Sequence, residues 1–324
     1  TASGLKNSDM PDDFVFEAIR QAKECGFAEI VIIGGEPTLH NSLPKFMEFI
    51  LGAGLTPILV TNGIKLSNLG YAEKVALKGA TLVLHAPLPA EVQDRHTGRD
   101  GYSKLLLEAY DNVLGGEGVT VVGEVAILEE FLPHIGLVYH WCLDHGVIPF
   151  FEASRRDDNG NCYSGNLLPE EIGKVFDQLR EFDPNPSGQL IPPAYKQPCT
   201  MSITGLHVKN LGGGDFGGVY SCCAQHIRHG DLQKQPLAEI MEQPSLEIFR
   251  FQDKWIAGPC KNCQHYAICR GGCRGQAFLT YGCPRASYPC WHIPLEIRNN
   301  PLAMMPQTCD DCPLQNNPIC QLKK

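Results

Sequence analysis

Residues 30–37 read Ile30-Val31-Ile32-Ile33-Gly34-Gly35-Glu36-Pro37. Four β-branched apolar residues in a row favour a strand, and the lack of polar alternation is typical of one buried on both faces. Gly-Gly-Glu-Pro then breaks the run. The two glycines would let a ligand approach the backbone, and Glu36 would offer a carboxylate to an ammonium group. The same four residues also make an ordinary turn, so their context has to decide.

That context is a repeated alternation of helix and strand. Upstream, residues 11–26 form a helical pattern with Pro11 near its start and Gly26 as its stop. Downstream, the pattern predicts a helix over 42–52, then a strand over 57–61 that ends in Thr61-Asn62-Gly63. A helix over 68–78, a strand over 81–85, a helix over 102–114 and a strand over 119–128 follow. The series closes with a helix over 132–145, a strand over 147–152 and a helix over 169–182. Strands each followed by a helix imply an α/β fold with parallel strands and right-handed crossovers. Sites in such folds lie at the carboxyl ends of the strands. Those ends carry Gly34 to Pro37, Asn62, His85, Glu124, Glu152 and Arg155. Taken alone, His85 reads equally as a hydrogen-bonded structural residue, and Glu152 with Arg155 as a rim ion pair.

Composition narrows the functional classes. The 324 residues suggest about two domains. At 43% hydrophobic residues the chain can bury a full core. A net charge of −9 argues against a nucleic-acid partner, which would need a basic stripe. No apolar run reaches membrane-spanning length and no signal-peptide pattern opens the chain, so no membrane partner is expected. The opening Thr1-Ala2-Ser3 carries no initiator Met, which reads as a fragment.

Fifteen cysteines are spread unevenly. Cys25, Cys142 and Cys162 are scattered through the first 198 residues; the rest lie between 199 and 320. Cys260, Cys263, Cys269 and Cys273 are spaced C-x2-C-x5-C-x3-C, with Gly271 and Gly272 allowing a tight turn before the last thiolate, and Cys290 follows. Thiolates this dense suit zinc or an iron–sulfur cluster. A disulfide knot fits less well, because the cysteine-rich part follows a cysteine-poor, core-rich half and the count is odd. A reducing, cytoplasmic setting with metal-bound thiolates is expected.

These motifs together resemble the radical S-adenosylmethionine (SAM) enzymes that carry a C-terminal SPASM domain. Gly34-Gly35-Glu36-Pro37 resembles the superfamily's GGEP motif, whose backbone and acid hold the methionyl amino group of SAM. Thr61-Asn62-Gly63 resembles the TNG that ends the next strand. Leu84 to Gly98 resembles a segment in which His85, aligned on Asp94, replaces a Ser near the SAM carboxylate or ribose. Cys199, then Gly217 with four residues to Cys222, then Cys260, Cys263, Cys269, Cys273 and Cys290 match the seven-cysteine SPASM pattern. The resemblance implies that Cys260, Cys263, Cys269 and Cys290 hold one auxiliary [4Fe–4S] cluster. It implies that Cys199, Cys222 and Cys273 hold another, with its fourth position open or filled locally. Cys223 is a candidate for that position, or for a catalytic role where sulfatase-maturating relatives carry an Asp; a plain buried thiol is the simpler reading.

The implied fold is a partial (β/α)6 radical SAM barrel lacking its first strand, over 1–185. A Pro-rich linker (186–198), a small cysteine-rich SPASM domain (199–295) and a cysteine-containing tail (296–324) follow. The implied chemistry is reductive SAM cleavage followed by hydrogen abstraction from substrate. In such relatives the substrate is mostly a peptide or protein, which is crosslinked or oxidised, and the electrons come from a donor such as flavodoxin or ferredoxin. One departure stands out. The C-x3-C-x2-C triplet that holds the SAM-cleaving cluster is absent from this sequence, so the chain as written is expected not to generate the deoxyadenosyl radical. A non-catalytic iron–sulfur electron carrier and a zinc-stabilised binding module remain the alternatives. Cys309, Cys312 and Cys320, among the prolines of a tail read as too broken to build a core of its own, stay unassigned.

Overall fold

The computed structural model describes residues 9–153, 167–182, 201–223 and 226–315. The linker 186–198 and Arg155, Cys162, Cys199 and Cys320 lie outside the described residues. Two compact units divide the chain. Of the described residues, the first unit takes those up to Glu152 together with 178–182; the second takes Ala153, 167–177 and 201–315.

In the first unit the alternation appears as α1 (Asp12–Glu24), β1 (Glu29–Ile32), α2 (Leu43–Gly52), β2 (Thr56–Thr61), α3 (Leu69–Val75) and β3 (Thr81–His85). It continues through α4 (Ala90–Thr97), α5 (Tyr102–Leu114), β4 (Thr120–Ile127), α6 (Ile135–Asp144) and β5 (Ile148–Ala153). The sheet order is β1-β2-β3-β4-β5, with β1/β2, β2/β3 and β3/β4 parallel. Helix α7 (Pro169–Phe182) is the last of the series, and its final turn belongs to this unit. The α/β expectation is therefore met, strand by strand.

Two local readings change. The Ile30–Ile33 run is not buried on both faces, since Val31 is 39% and Ile33 49% exposed. β1 stands at one end of the strand order, so it lacks the neighbours that bury its inner companions. Even β2 alternates half-buried with buried residues, which means that one face of the sheet packs under helices more tightly than the other. The second change is α4, within the segment read only as a motif. Its polar sequence hides the helical period, but Pro89 precedes it and Gly98, at φ 63°, ends it. Asp94 of α4 accepts from the backbone N–H groups of Gly101 (2.6 Å) and Ser103 (2.7 Å), capping α5, and these bonds hold its carboxyl below the ordinary range.

The second unit contains an antiparallel sheet of β6 (His207–Asn210), β7 (Phe216–Tyr220) and β8 (Arg228–Asp231). The β6–β7 hairpin turns at Gly212–Gly214, all at positive φ. Cys222 lies just beyond β7. One core gathers Ile256, Cys260, Ala277, Tyr281, Cys290 and Met304; another gathers Ile227, Phe249, Trp255, Phe278, Cys312 and Leu314. The tail through residue 315 thus joins these cores instead of standing apart from them.

The contrast between inner and edge strands is measurable. Leu59→Ala, at a fully buried β2 position, should cost about 2–5 kcal/mol. Val31→Ala on β1 should cost under about 1 kcal/mol. Urea unfolding with unchanged m-values checks both.

Candidate functional site

One acid joins the carboxyl ends of β1 and β2. Glu36 Oε1 accepts from Thr38 N (3.0 Å), Thr38 Oγ1 (2.7 Å) and Thr61 Oγ1 (2.6 Å). Its Oε2 accepts from Asn62 N (2.8 Å). One carboxylate therefore pins the β1 loop to the end of β2, with Oε2 retaining acceptor capacity beyond that one bond. Asn62 Oδ1 accepts from Ile64 N (3.0 Å), and Gly63 follows at φ 80°. An added Cβ at Gly63 would meet Leu106 at 3.1 Å and Leu84 at 3.2 Å, so the turn requires glycine. Gly34 and Gly35 are exposed, and nothing lies within 4 Å of a Cβ built on either. The backbone there is open to a close approach.

His85 joins the same constellation through Tyr102, which the sequence did not single out. Tyr102 Oη donates to Asn62 O (2.8 Å), so it accepts from His85 Nδ1 (2.9 Å). This fixes the proton on Nδ1 and leaves Nε2 as an acceptor. Surrounding protein holds the His85 pKa below its ordinary value, with His96 adding to this and Glu36 opposing it. The neutral ring still presents an exposed side to solvent. Tyr110 Oη donates to His85 O (3.0 Å), and Tyr71 Oη and Lys65 Nζ donate to Thr38 O (3.0 and 2.8 Å). An aromatic residue at the first position of a helix carries no motif, so these supports were invisible in the sequence.

The cysteine centre forms in the second unit. Cys260 and Cys290 are buried in one core, with Cys269 and Cys273 packed against it. Burial raises the Cys290 thiol to about 12, and Cys269, Cys260 and Cys263 act on it in the same direction. Burial raises Cys269 to about 11, again with Cys260 and Cys263 contributing. These cysteines therefore share one neighbourhood of the fold. Backbone N–H groups of His265, Gln276 and His292 point at the sulfurs of Cys263 (3.4 Å), Cys273 (3.4 Å) and Cys290 (3.5 Å). Such donors are suited to sulfur that becomes anionic on binding metal. Among the described residues no three Cys, His, Asp or Glu side chains are gathered tightly enough to enclose a single ion.

Gly271 and Gly272 adopt φ 83° and 73°. A Cβ on Gly271 would strike Ile256, and one on Gly272 would lie 2.8 Å from Tyr288. The tight turn read from the sequence therefore needs both glycines. Cys222 is buried and its neighbour Cys223 exposed. Beside them, Ser221 Oγ lies 2.6 Å from His229 Nε2, and His229 Nδ1 lies 2.7 Å from Ser245 Oγ.

Residues 215–264 match the SPASM family, described as an iron-sulfur cluster-binding domain. Streptococcus suis SuiB bound to S-adenosylmethionine superposes with a TM-score of 0.66 at 14% identity, covering 88% of this chain and 71% of that one. The chain thus shares the fold of that structure, and its cysteine-rich part matches the SPASM model. The structure of anSMEcpe with bound AdoMet and Cp18Cys peptide agrees, with a TM-score of 0.58 at 18% identity, over 82% of this chain and 81% of that one. Two curated relatives share shorter stretches. An S-adenosylmethionine-dependent nucleotide dehydratase of Lacinutrix mariniflava is 39% identical over 59 residues, which is 18% of this chain and 12% of its own length. A "Probable GTP 3',8-cyclase" of Metallosphaera sedula is 34% identical over 89 residues, 27% of this chain and 28% of its own length. These matches thus span under a third of either relative. No helix among the described residues is long and apolar enough to cross a membrane.

The SPASM region carries a pH signature. Burial, helped by Arg250, lowers the pKa of His229 to about 4. As pH falls, the unfolded chain takes up this proton first, at about 6.5. The stability involved is fully present above that pH and declines towards pH 4, by on the order of 3 kcal/mol. Urea unfolding of the protein and of His229→Gln at pH 7.0, 5.5 and 4.5 should show the decline flattened in the variant; parallel declines would contradict it.

Proposed function

We propose that this chain serves a radical SAM/SPASM reaction in which SAM lies at the carboxyl ends of β1–β3 and a peptide or protein side chain is modified. The observation that carries the reading is the convergence of the Gly34–Pro37 loop, Asn62 and His85 at three adjacent parallel strand ends, in a chain whose cysteine-rich part matches an iron–sulfur domain. SAM and an iron–sulfur centre together supply the hydrogen abstraction when bound. The residues of this chain supply position. Open backbone at Gly34 and Gly35 and the remaining acceptor capacity of Glu36 Oε2 suit the methionyl ammonium group. Asn62 and the Nε2 side of His85 suit the carboxylate or ribose hydroxyls, where a neutral ring accepts from a hydroxyl. Cys260, Cys263, Cys269 and Cys290 would hold one auxiliary [4Fe–4S] cluster, and Cys199, Cys222 and Cys273 the other. Cys223, exposed beside Cys222, is available as a further ligand or a reacting thiol. The structure of anSMEcpe with bound AdoMet and Cp18Cys peptide supports the substrate class. A small redox protein such as flavodoxin or ferredoxin fits as electron donor, and clusters of this kind suit the cytoplasm.

A second reading has its own observation: the sequence contains no C-x3-C-x2-C. On that reading the chain carries electrons or holds metal without cleaving SAM.

Equilibrium dialysis with labelled SAM separates the two. The chain should bind SAM, and Glu36→Gln should weaken binding by about tenfold or more, or about 1.4 kcal/mol, with an unchanged circular dichroism spectrum. Absence of SAM binding, or equal binding by both proteins, would overturn the strand-end assignment and favour the non-catalytic reading.

A further inference from the structure

Arg274 follows Cys273 directly and is the largest of the fully buried side chains, at 1% exposure. Among the described residues its hydrogen bonds all go to backbone carbonyls. Nη1 donates to Ala286 O (2.7 Å) and Pro284 O (3.2 Å), Nε to Gly272 O (3.3 Å), and Nη2 to Gly271 O. The nearby acid Asp253 is taken by Arg270 and Tyr266 instead. Among the described residues no carboxylate pairs with Arg274. A guanidinium stays charged in proteins, and a buried charge facing only neutral acceptors is unfavourable.

The groups that can answer this charge are sulfurs. Cys273 is the chain neighbour of Arg274, and Cys269 comes just before Gly271 and Gly272, whose carbonyls the guanidinium binds. Buried thiols become thiolates when a metal takes the proton's place. The carbonyl contacts add a geometric link. Gly271 and Gly272 lie between Cys269 and Cys273, whereas Pro284 and Ala286 lie between Cys283 and Cys290. One guanidinium therefore ties together the two chain segments that bring ligands to the centre.

We infer that Arg274 is the resident counter-charge of the cysteine centre and the clasp that holds its two ligand segments in register. The ligand class it serves is an anionic metal–thiolate cluster. This inference rests on the proposed function for the identity of the metal, but not for the charge argument, since a zinc tetrathiolate is also anionic.

Three variants test it: Arg274→Lys keeps the charge, whereas Arg274→Gln and Arg274→Met remove it. Arg274→Met keeps the packed stem and covers the case in which Arg274→Gln fails to fold. After anaerobic reconstitution, bound metal per chain should fall to about half or less in the neutral variants and fall less in Arg274→Lys, which keeps the charge without the forked carbonyl contacts. Clusters that do form in the neutral variants should be harder to reduce, with midpoint potentials shifted negative in a titration followed by electron paramagnetic resonance. The rise in unfolding temperature on metal loading should also be smaller in those variants. Undiminished metal with unchanged potential in the neutral variants would overturn the inference, as would an equal loss in Arg274→Lys. A wild-type chain that loads zinc without sulfide sinks the iron–sulfur reading, while the same ranking of variants would still uphold Arg274.

Discussion

Negative charge on buried sulfur has to be balanced, and much of the second unit follows from that constraint. Cys290 is buried and Cys269 half-buried, and desolvation drives both thiols well above the ordinary range. Metal binding reverses this only if the surrounding protein tolerates the resulting anion. The chain supplies backbone N–H donors from His265, Gln276 and His292, and it encloses Arg274. The glycine turn at 271–272 exists because those backbones approach Ile256 and Tyr288 too closely for any side chain. Packing and electrostatics are thus one problem with one solution in this region.

The first unit solves a different problem with the same economy. A parallel sheet leaves its carboxyl ends as bare loops, and a site there needs those loops fixed. Glu36 does this by bonding at once to its own turn and to the end of β2. Tyr102, presented by α5, then links β2 to β3 through Asn62 and His85. Asp94 secures α5 in turn by capping its first amides. The chain of support runs from α4 through α5 to the strand ends, so a residue of a polar surface helix helps to set the tautomer of a site histidine.

The strands and helices of the first unit were legible because hydrophobic periodicity and the Gly and Pro stops are local signals. β1 was misread as doubly buried, since a run of Ile and Val does not reveal whether its strand has two neighbours or one. α4 was missed because a helix of mostly polar residues lacks a periodic stripe. Cysteine spacing pointed to a metal centre, for thiolates have few other reasons to recur so closely, and the structure gathers Cys260, Cys269, Cys273 and Cys290 about one core. Arg274 was not legible, as an arginine beside a cysteine reads as surface until burial is known. Tyr102 was likewise hidden, because its partners Asn62 and His85 are distant in sequence. The packing of Met304, Cys312 and Leu314 into the cores escaped notice, since a tail rich in proline and polar residues gives no periodic pattern.

The central claim is that the cysteine-rich unit holds iron–sulfur clusters. Counting iron, sulfide and zinc per chain after anaerobic purification and reconstitution tests it most directly. Two [4Fe–4S] clusters predict about eight irons with matching sulfide. About one or two zinc ions without sulfide would contradict the account and leave a zinc-stabilised module in its place.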